Sequence, residues 1–440
     1  MKQGMIKYSA HHKAQSRTGN AKFISEINKV KVTNLIRDNH GISRAVLAKK
    51  SGISAPTVSR IVETLIREGL VTETGMGVSN GGRRPTLLKF SGVDNFIIGI
   101  DLGTTDIFGV LTDLDARVIA EIKRPTRVEE GFSRVMERTS DIINELRNHL
   151  GGKKSKVRGI GMAIAGLINR ERDIVEFSPN FNWRNVHVRA ALPQASEIPV
   201  VIDNVTRVMA LGEMWYGAGR NYRNFIMVNV GFGIGAGIIV QGSPLYGLWG
   251  LAGELGHITL DKDSDVQCGC GNFGCLEALS SGNAIAKAAQ KALRSGAESI
   301  LSEMSKNDAS RVTAEMVAAA AKRGDSLAWT IFDRAAEYLG LGIAGVINLF
   351  NPDAVFIGGG VAQAGDILFN RVRQTVTARG LHSTASEVPI LPASFGSRAA
   401  VMGAISLILS GIVNLGSELT HFLLPGVGGP AVQSHRPEGM

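Results

Sequence analysis

All three cysteines of the chain fall within eight residues, Cys268-Gly-Cys270-Gly-Asn-Phe-Gly-Cys275, and His257 stands eleven residues before the first of them. Such a cluster is not a disulfide framework spread over a secreted domain. Three thiolates and one imidazole make a complete tetrahedral donor set for zinc, and the intervening glycines let a tight loop wrap the ion. Four protein ligands leave no open position for water. The expectation is therefore one structural Zn2+ per chain, held by His257, Cys268, Cys270 and Cys275, which shapes a loop and does no chemistry itself. The competing reading is three inert buried thiols that happen to lie close together.

A chain of 440 residues has room for two or three domains with substantial cores. It contains no uninterrupted apolar run of about 20 residues, so no membrane insertion is expected. The first residues, Met-Lys-Gln-Gly-Met-Ile-Lys, are basic and polar and lack the apolar core of an export signal. With reduced thiols, this predicts a cytoplasmic protein. Charge is unevenly spread. Residues 1–92 carry sixteen lysines and arginines against five acids, a net of +11, whereas the whole chain is +9, so the remainder carries −2. A basic module on a near-neutral body suggests contact with nucleic acid, although a merely solvated basic face has the same composition.

The pattern within that module decides between the two. Apolar positions Ile27, Val30, Val32, Leu35 and Ile36 predict a helix over Ile24–Asn39; His40-Gly41 breaks it, and Ser43 can cap a second helix over Arg44–Lys50. After the turn at Gly52 a third helix runs Ala55–Glu68, with Pro56 in its first turn and an apolar stripe at Val58, Ile61, Val62, Leu65 and Ile66. That stripe leaves Ser54, Thr57, Ser59 and Arg60 facing outward, the arrangement of a recognition helix that meets base edges and phosphates. A hairpin over Val71–Phe90 follows, with glycines at its tip and Arg83-Arg84 beside them, the make-up of a wing that reaches phosphates or a minor groove. Residues 1–22 read as a flexible basic arm, and residues 23–91 as a winged helix–turn–helix that binds double-stranded operator DNA. A protein-binding three-helix bundle is the alternative.

In the body, strands at Asn95–Asp101 and Ile107–Asp113 flank the turn Asp101-Leu-Gly-Thr-Thr-Asp106. Glycine-rich segments also follow strands at Gly231–Gly237, after Phe225–Val230, and at Gly358-Gly-Gly360, after Ala354–Ile357. Three such turns suggest two α/β lobes around a phosphate-bearing or polyhydroxyl ligand, because backbone amides can approach phosphate oxygens there. Glycine used only for close packing is the bland reading of each. Glu254, His257 and Glu277 lie on either side of the cysteine loop. Two carboxylates and an imidazole fixed by a metal are good partners for sugar hydroxyls, though the acids could equally cap helices. The remaining segments read as structural. Trp329–Phe350 is a long apolar helix whose Gly340, Gly342 and Gly345 permit close helix approach, and Ser397–Leu409 is a final helix packed on the first lobe. The tail after Thr420 is rich in glycine and proline and is expected to be disordered.

The phrase GELGHITLDKDSDVQCGCGNFGCLE, with the glycine turns at 101–106, 231–237 and 358–360, resembles the ROK family of repressors and sugar kinases over about residues 96–410. The N-terminal module resembles the winged helix–turn–helix of that family's repressors. The resemblance implies an α/β fold: a two-lobed, actin-like ATPase body, with residues 92–202 as first lobe completed by a helix near 390–410, and residues 203–389 as second lobe. It implies zinc on the four residues above, sugar contacts from Asn180, Asn204, Glu254, His257 and Glu277, and a homodimer or homotetramer. It also makes Asp101, Gly103, Thr104, Gly231, Gly233 and Gly359 the relics of a nucleotide site.

The departures matter as much. The family's kinases carry a motif like E-N-D-A-N whose aspartate is the general base. Counting back from Leu211-Gly212-Glu213 puts Asp203-Asn204-Val205-Thr206-Arg207 on it, with Val205 at the base. Valine cannot accept a proton, and losing a general base costs roughly 10²–10⁴ in rate. Phe232 stands where the kinases carry a threonine and should crowd a phosphate. No catalytic residue is therefore expected, and the chain reads as a sugar-responsive transcriptional repressor of carbohydrate-metabolism genes whose kinase-like body binds a sugar or sugar phosphate. The alternative is an active sugar kinase with a DNA-binding domain, using Asp203 as base; a scaffold for a protein partner has no positive feature in its favour.

Overall fold

The computed structural model describes residues 21–39, 41–77, 84–91, 94–169, 172–381 and 387–413, which fall into two compact units, one ending at Phe90 and one running from Ser91 to Ile412. The expected basic arm (apart from its last two residues), Gly81, Gly82, Arg83 and the tail beyond Val413 lie outside the described residues.

The first unit comprises α1 (Ala21–Asp38), β1 (Ile42–Ser43), α2 (Arg44–Ser51), α3 (Ala55–Arg67), β2 (Val71–Met76) and β3 (Thr86–Phe90). The helical start at Ala21 takes two residues from the expected arm. Ser43 Oγ accepts the Val46 N–H at 3.3 Å to cap α2, and Gly52 ends that helix in the left-handed region at φ 70°. Along α3, Val58, Ile61, Val62 and Leu65 are buried, each worth roughly 1.5–3 kcal/mol of transfer free energy. Lys29 ties α1 to the end of α3 through Glu68 at 2.7 Å. The wing is a three-stranded sheet in the order β1-β3-β2, because Ile42 pairs with Leu88 and Ser43 with Leu87.

The second unit begins with β4 (Phe96–Leu102), β5 (Asp106–Asp113), β6 (Val118–Pro125), α4 (Phe132–Asn148) and β7 (Val157–Ile164). A side sheet of β8 (Leu167–Asn169), β9 (Ile174–Ser178) and β10 (Trp183–Val186) follows, then β11 (Val200–Asn204) and α5 (Val205–Tyr216). The second half holds β12 (Phe225–Val230), β13 (Ile234–Val240), β14 (Ser243–Pro244), α6 (Leu276–Ser280), α7 (Gly282–Arg294), α8 (Leu301–Met304), α9 (Ala314–Lys322) and α10 (Ser326–Phe350). It closes with β15 (Ala354–Gly358), α11 (Asp366–Arg379), β16 (Ile390–Pro392) and α12 (Ala399–Val413). The two five-stranded sheets share one topology. In β6-β5-β4-β7-β11 and in β14-β13-β12-β15-β16, an antiparallel meander is extended by two parallel strands. The body is thus a duplicated α/β unit with the two-lobed, actin-like architecture.

Two details differ from expectation. The stretch 231–237 is not a loop: only Gly231–Gly233 turns, and Ile234 onward is β13, where glycines sit in a strand because α5 packs against it (a Cβ on Gly237 would come within 2.6 Å of Thr206 O). On α10, side chains at 340 and 342 would strike Thr375 and Leu276, but nothing lies within 4 Å of a Cβ at Gly345.

Residues Ala399–Ser410 of α12 are buried on every side, as befits a helix with no polar face. It fits because the facing strands are stripped of side chains. A Cβ on Gly161 of β7 would lie 1.8 Å from Ala404 O, and one on Gly99 of β4 2.7 Å from Val401 O. Gly161→Ala is expected to lower the unfolding free energy by about 1–3 kcal/mol or more, as overpacking does; denaturant titration of the two proteins measures it.

Candidate functional site

A cleft of about 1940 Å³ opens in the body, walled by the turns after β4 and β12, the start of α5, Gly253–Glu254 and the cysteine loop. That is larger than the usual volume for one small ligand, roughly 300–1,000 Å³, so two ligands side by side fit.

The sequence-derived sugar residues converge on it: Asn180, Asn204, Glu254, His257 and Glu277 all line the wall. They are not equally free. Asn204 caps α5, its Oδ1 accepting the Thr206 N–H at 2.9 Å while its Nδ2 donates to Gly166 O at 3.0 Å. Glu277, on the first turn of α6, accepts the Ile234 N–H on Oε2 at 2.9 Å. A Cβ on Gly233 would lie 2.2 Å from that same oxygen. What glycine provides at 233 is room for Glu277. Burial pushes the Glu254 carboxyl up, with His257 and Arg207 pulling against it.

The cysteine loop folds back as expected. Gly271 N–H donates to Cys268 O at 2.9 Å and Gly274 N–H to Val266 O at 3.0 Å, and α6 starts directly at the last cysteine. The donor atoms of His257, Cys268, Cys270 and Cys275 all lie within 4.8 Å of one another. Cys270 Sγ and Cys275 Sγ are 3.8 Å apart, and Cys268 Sγ is 3.6 Å from His257 Nδ1. Zinc–sulfur bonds of about 2.3 Å and a zinc–nitrogen bond of about 2.0–2.1 Å at tetrahedral angles require separations near ~3.8 Å and ~3.6 Å. The four residues therefore fit a metal ion of that kind. Burial pushes the Cys268 thiol up to about 12, so its thiolate needs a cation beside it. The other ring nitrogen, His257 Nε2, faces Glu254 Oε2 at 3.8 Å, as in the carboxylate–histidine–metal arrangements that fix a ligand's tautomer.

Of the residues expected as relics of a nucleotide site, Asp101, Gly103, Thr104 and Gly233 line the cleft, but Gly231 and Gly359 are not part of the lining. A Cβ at Gly359 would meet Val230 O at 2.4 Å, so this residue, at φ 90°, lets β15 lie against β12. Phe232 is 64% exposed in the cleft mouth. Lys123 pairs with Asp106 at 3.1 Å.

Val205, the first residue of α5, lines the cleft. Asp203, the alternative base, does not: it is fully buried, its Oδ1 accepting from Arg207 Nε at 2.9 Å. Sequence reasoning did not single out Arg207, because Asp203 lies at the end of a strand and Arg207 in the first turn of the next helix, where no helical spacing rule pairs them. In the first unit Ser54, Thr57, Ser59 and Arg60 share the start of α3, with Ser54 and Arg60 exposed and Ser54 Oγ 2.9 Å from Thr57 Oγ1; Arg84 is exposed, and Arg83 lies outside the described residues.

Fold and cleft together define a protein with the body of a sugar kinase and a winged DNA-binding module. The chain belongs to the ROK family, whose model it matches over residues 97–410, and residues 27–72 match the winged helix-turn-helix DNA-binding family. It is 33% identical to the xylose repressor of Caldicellulosiruptor bescii over 90% of this chain and 98% of that protein. The structure of a ROK family transcriptional regulator, homologous to an Escherichia coli protein named MLC, superposes with a TM-score of 0.78 at 29% identity, covering 91% of this chain and 99% of the other. A ROK family glucokinase from Streptomyces griseus, in complex with glucose and AMPPNP, superposes at 0.64 and 28% identity over 71% of this chain and 99% of its own. Among the described residues no helix is long and apolar enough to cross a membrane.

Desolvation pushes the Asp101 carboxyl from its ordinary 3.8 up to about 7, Lys123 opposing and Asp106 adding to the shift. A raised folded-state pKa means the neutral acid is favoured. Its contribution to stability is complete below about 4 and is lost as pH rises to about 7. Asp101→Asn removes that loss, so its melting temperature relative to wild type should climb by several °C between pH 4 and 7 and then level off; thermal melts across that range check it.

Proposed function

We propose that this chain is a sugar-responsive, DNA-binding transcriptional repressor of carbohydrate-metabolism genes, and that its kinase-like cleft binds a sugar or sugar phosphate without phosphorylating it. The observation that carries the reading is the start of α5: valine stands at the base position on the cleft wall, and the neighbouring acid is committed to Arg207. The five sugar residues meanwhile still face the cleft. The likeness to a xylose repressor along nearly its whole length supports the same reading.

In this scheme Ser54, Thr57, Ser59 and Arg60 read the major groove from α3, and Arg83 and Arg84 hold phosphate or minor groove from the wing. Asn180, Asn204, Glu254, His257 and Glu277 hold the sugar. His257, Cys268, Cys270 and Cys275 hold one structural Zn2+ per chain. Zinc supplies no reactive group; it orders the loop that ends at α6, and so fixes Glu277 and the ring of His257. Asp101, Gly103, Thr104 and Gly233, which line the cleft, descend from a nucleotide site. The protein acts in the cytoplasm as a homodimer or homotetramer, so that one operator is held by paired modules and sugar affinity and DNA affinity alter one another reciprocally.

DNA anisotropy titrations with an operator fragment selected from a random pool, in D-xylose, D-glucose and N-acetyl-D-glucosamine, test the reading. Arg60→Ala should weaken specific binding about tenfold, Arg84→Ala should flatten the salt slope by about 1, and one sugar should release the DNA. Affinity that no sugar shifts would refute the effector assignment. The kinase alternative is tested by a coupled ATPase assay with the same sugars: sugar-dependent turnover that Asp203→Asn abolishes would reverse the assignment of Val205.

Elemental analysis should find one zinc per chain. Cys270→Ser should lose it together with sugar response while DNA binding persists; simultaneous loss of both would contradict the separation of zinc loop and DNA module.

A further inference from the structure

Beyond Leu245 the chain leaves β13, and it rejoins that strand at Gly253: Leu245 N–H donates to Ile238 O at 2.8 Å and Ala236 N–H to Gly253 O at 2.7 Å. Glu254 is the next residue. The excursion between is thinly packed, with Leu248 83% and Trp249 69% exposed. Its internal backbone hydrogen bonds are Ala252 N–H to Tyr246 O at 3.0 Å across its base and the long Gly250 N–H to Gly247 O at 3.4 Å. Left to itself, such a loop would leave Leu251 and Ala252, the cleft wall that leads into Glu254, in many arrangements, and a sugar would have to order it on binding.

Arg207 reaches this loop from α5. Its side chain is 4% exposed, its Nη2 donates to Gly250 O at 3.0 Å, and its guanidinium carbon lies 4.9 Å from the centre of the Tyr246 ring. Its Nε donates to Asp203 on β11, a strand of the first sheet, whereas the loop grows from the second. One planar cation thus serves a carboxylate, a carbonyl and a ring face at once. Lysine, a point charge on a flexible stem, cannot do this. Burying an ion pair does not by itself stabilise a fold, so the pair calls for a use. The chain has a cation at this place where the family's kinase motif, E-N-D-A-N, has its second asparagine.

We propose that Arg207 is a positioning residue of the sugar site: anchored on Asp203, it holds the Tyr246–Gly250 turn and, through that turn, Glu254 in the orientation that meets a sugar hydroxyl. This rests on the sugar-binding reading above. Arg207 touches no ligand; it acts by removing freedom from the loop before the sugar arrives. The tie also joins a strand of one sheet to a loop of the other, so the sugar contact at Glu254 is referred to the first lobe.

Two measurements on the full-length protein test it. The variants are Arg207→Lys and the double variant Asp203→Asn/Arg207→Met, which leaves neither charge buried alone. Hydrogen exchange without sugar should show amides of residues 246–253 exchanging about tenfold faster in both variants, with β12 and β13 unchanged. Unchanged exchange in the loop overturns the proposal. Calorimetric titration with D-xylose, D-glucose and N-acetyl-D-glucosamine should show the bound sugar's Kd raised about tenfold by Arg207→Lys, and no further rise when the change is made on Glu254→Ala, since residues that act through one another are not additive. Additive effects of the two changes overturn it as well. If wild type binds none of the three sugars, the sugar reading fails for them and the exchange result alone decides whether the tie exists.

Discussion

The body is organised around the approach of one helix to bare backbone. Helix α12 presses its carbonyls onto Gly99 and Gly161 in the first sheet, and a Cβ on its own Gly403 would lie 2.0 Å from Val208 O of α5. Any side chain at these points would hold the layers apart by more than the tolerances of a packed interior. Helix α5 in turn lies against β12 and β13 of the second sheet through Gly237. Helix α12 and the helix that opens at Val205 are therefore a common backbone-to-backbone contact, reached from opposite sheets. The cleft lies at the mouth of that contact, and Asn204, Val205 and Thr206 face it because α5 begins there.

This geometry explains which parts were legible in the sequence. Short-range chemistry was: the Ser43 cap, the Gly52 stop and the stripe along α3 all declare themselves within a few residues. The four metal-binding candidates were legible because thiols occur nowhere else. Long-range consequences were not. A final helix on the first lobe was expected, but the glycines at 99, 159 and 161 sit in strands whose sequence does not say that they are where that helix, roughly 240 to 300 residues later, lies. Gly233 looked like a phosphate turn, and its partner Glu277 is more than forty residues away. Gly359 looked the same and serves strand packing. The shared topology of the two sheets left no trace as a sequence repeat, because pairing order depends on strand neighbours and not on residue identity.

The start of α5 shows how a reactive corner becomes a static one. A kinase needs an acid there that is exposed to ligand and able to take a proton. Here the cleft-facing position is apolar, and the acid two residues earlier, on β11, is held at 2.9 Å by a buried guanidinium. The metal-candidate loop on the other side of the cleft keeps its form, with Glu277 hydrogen-bonded to the backbone of β13. In the proposed reading one wall has given up its chemistry while the opposite wall keeps its shape. Recognition of a polyhydroxyl ligand needs only the second.

Ser43 has two duties in the first unit, capping α2 and pairing with Leu87 of the wing. The stem of the wing is thereby hydrogen-bonded to the segment that opens α2, the helix packed against α3. For DNA, this makes the module a ruler. In the proposed scheme the bases under α3 and the backbone under the wing are measured together, and a base pair inserted between them, about 3.4 Å of rise, changes a distance that the pairing of β1 with β3 sets. Discrimination by spacing would then come from the stiffness of a two-residue strand, at positions where no side chain touches a base.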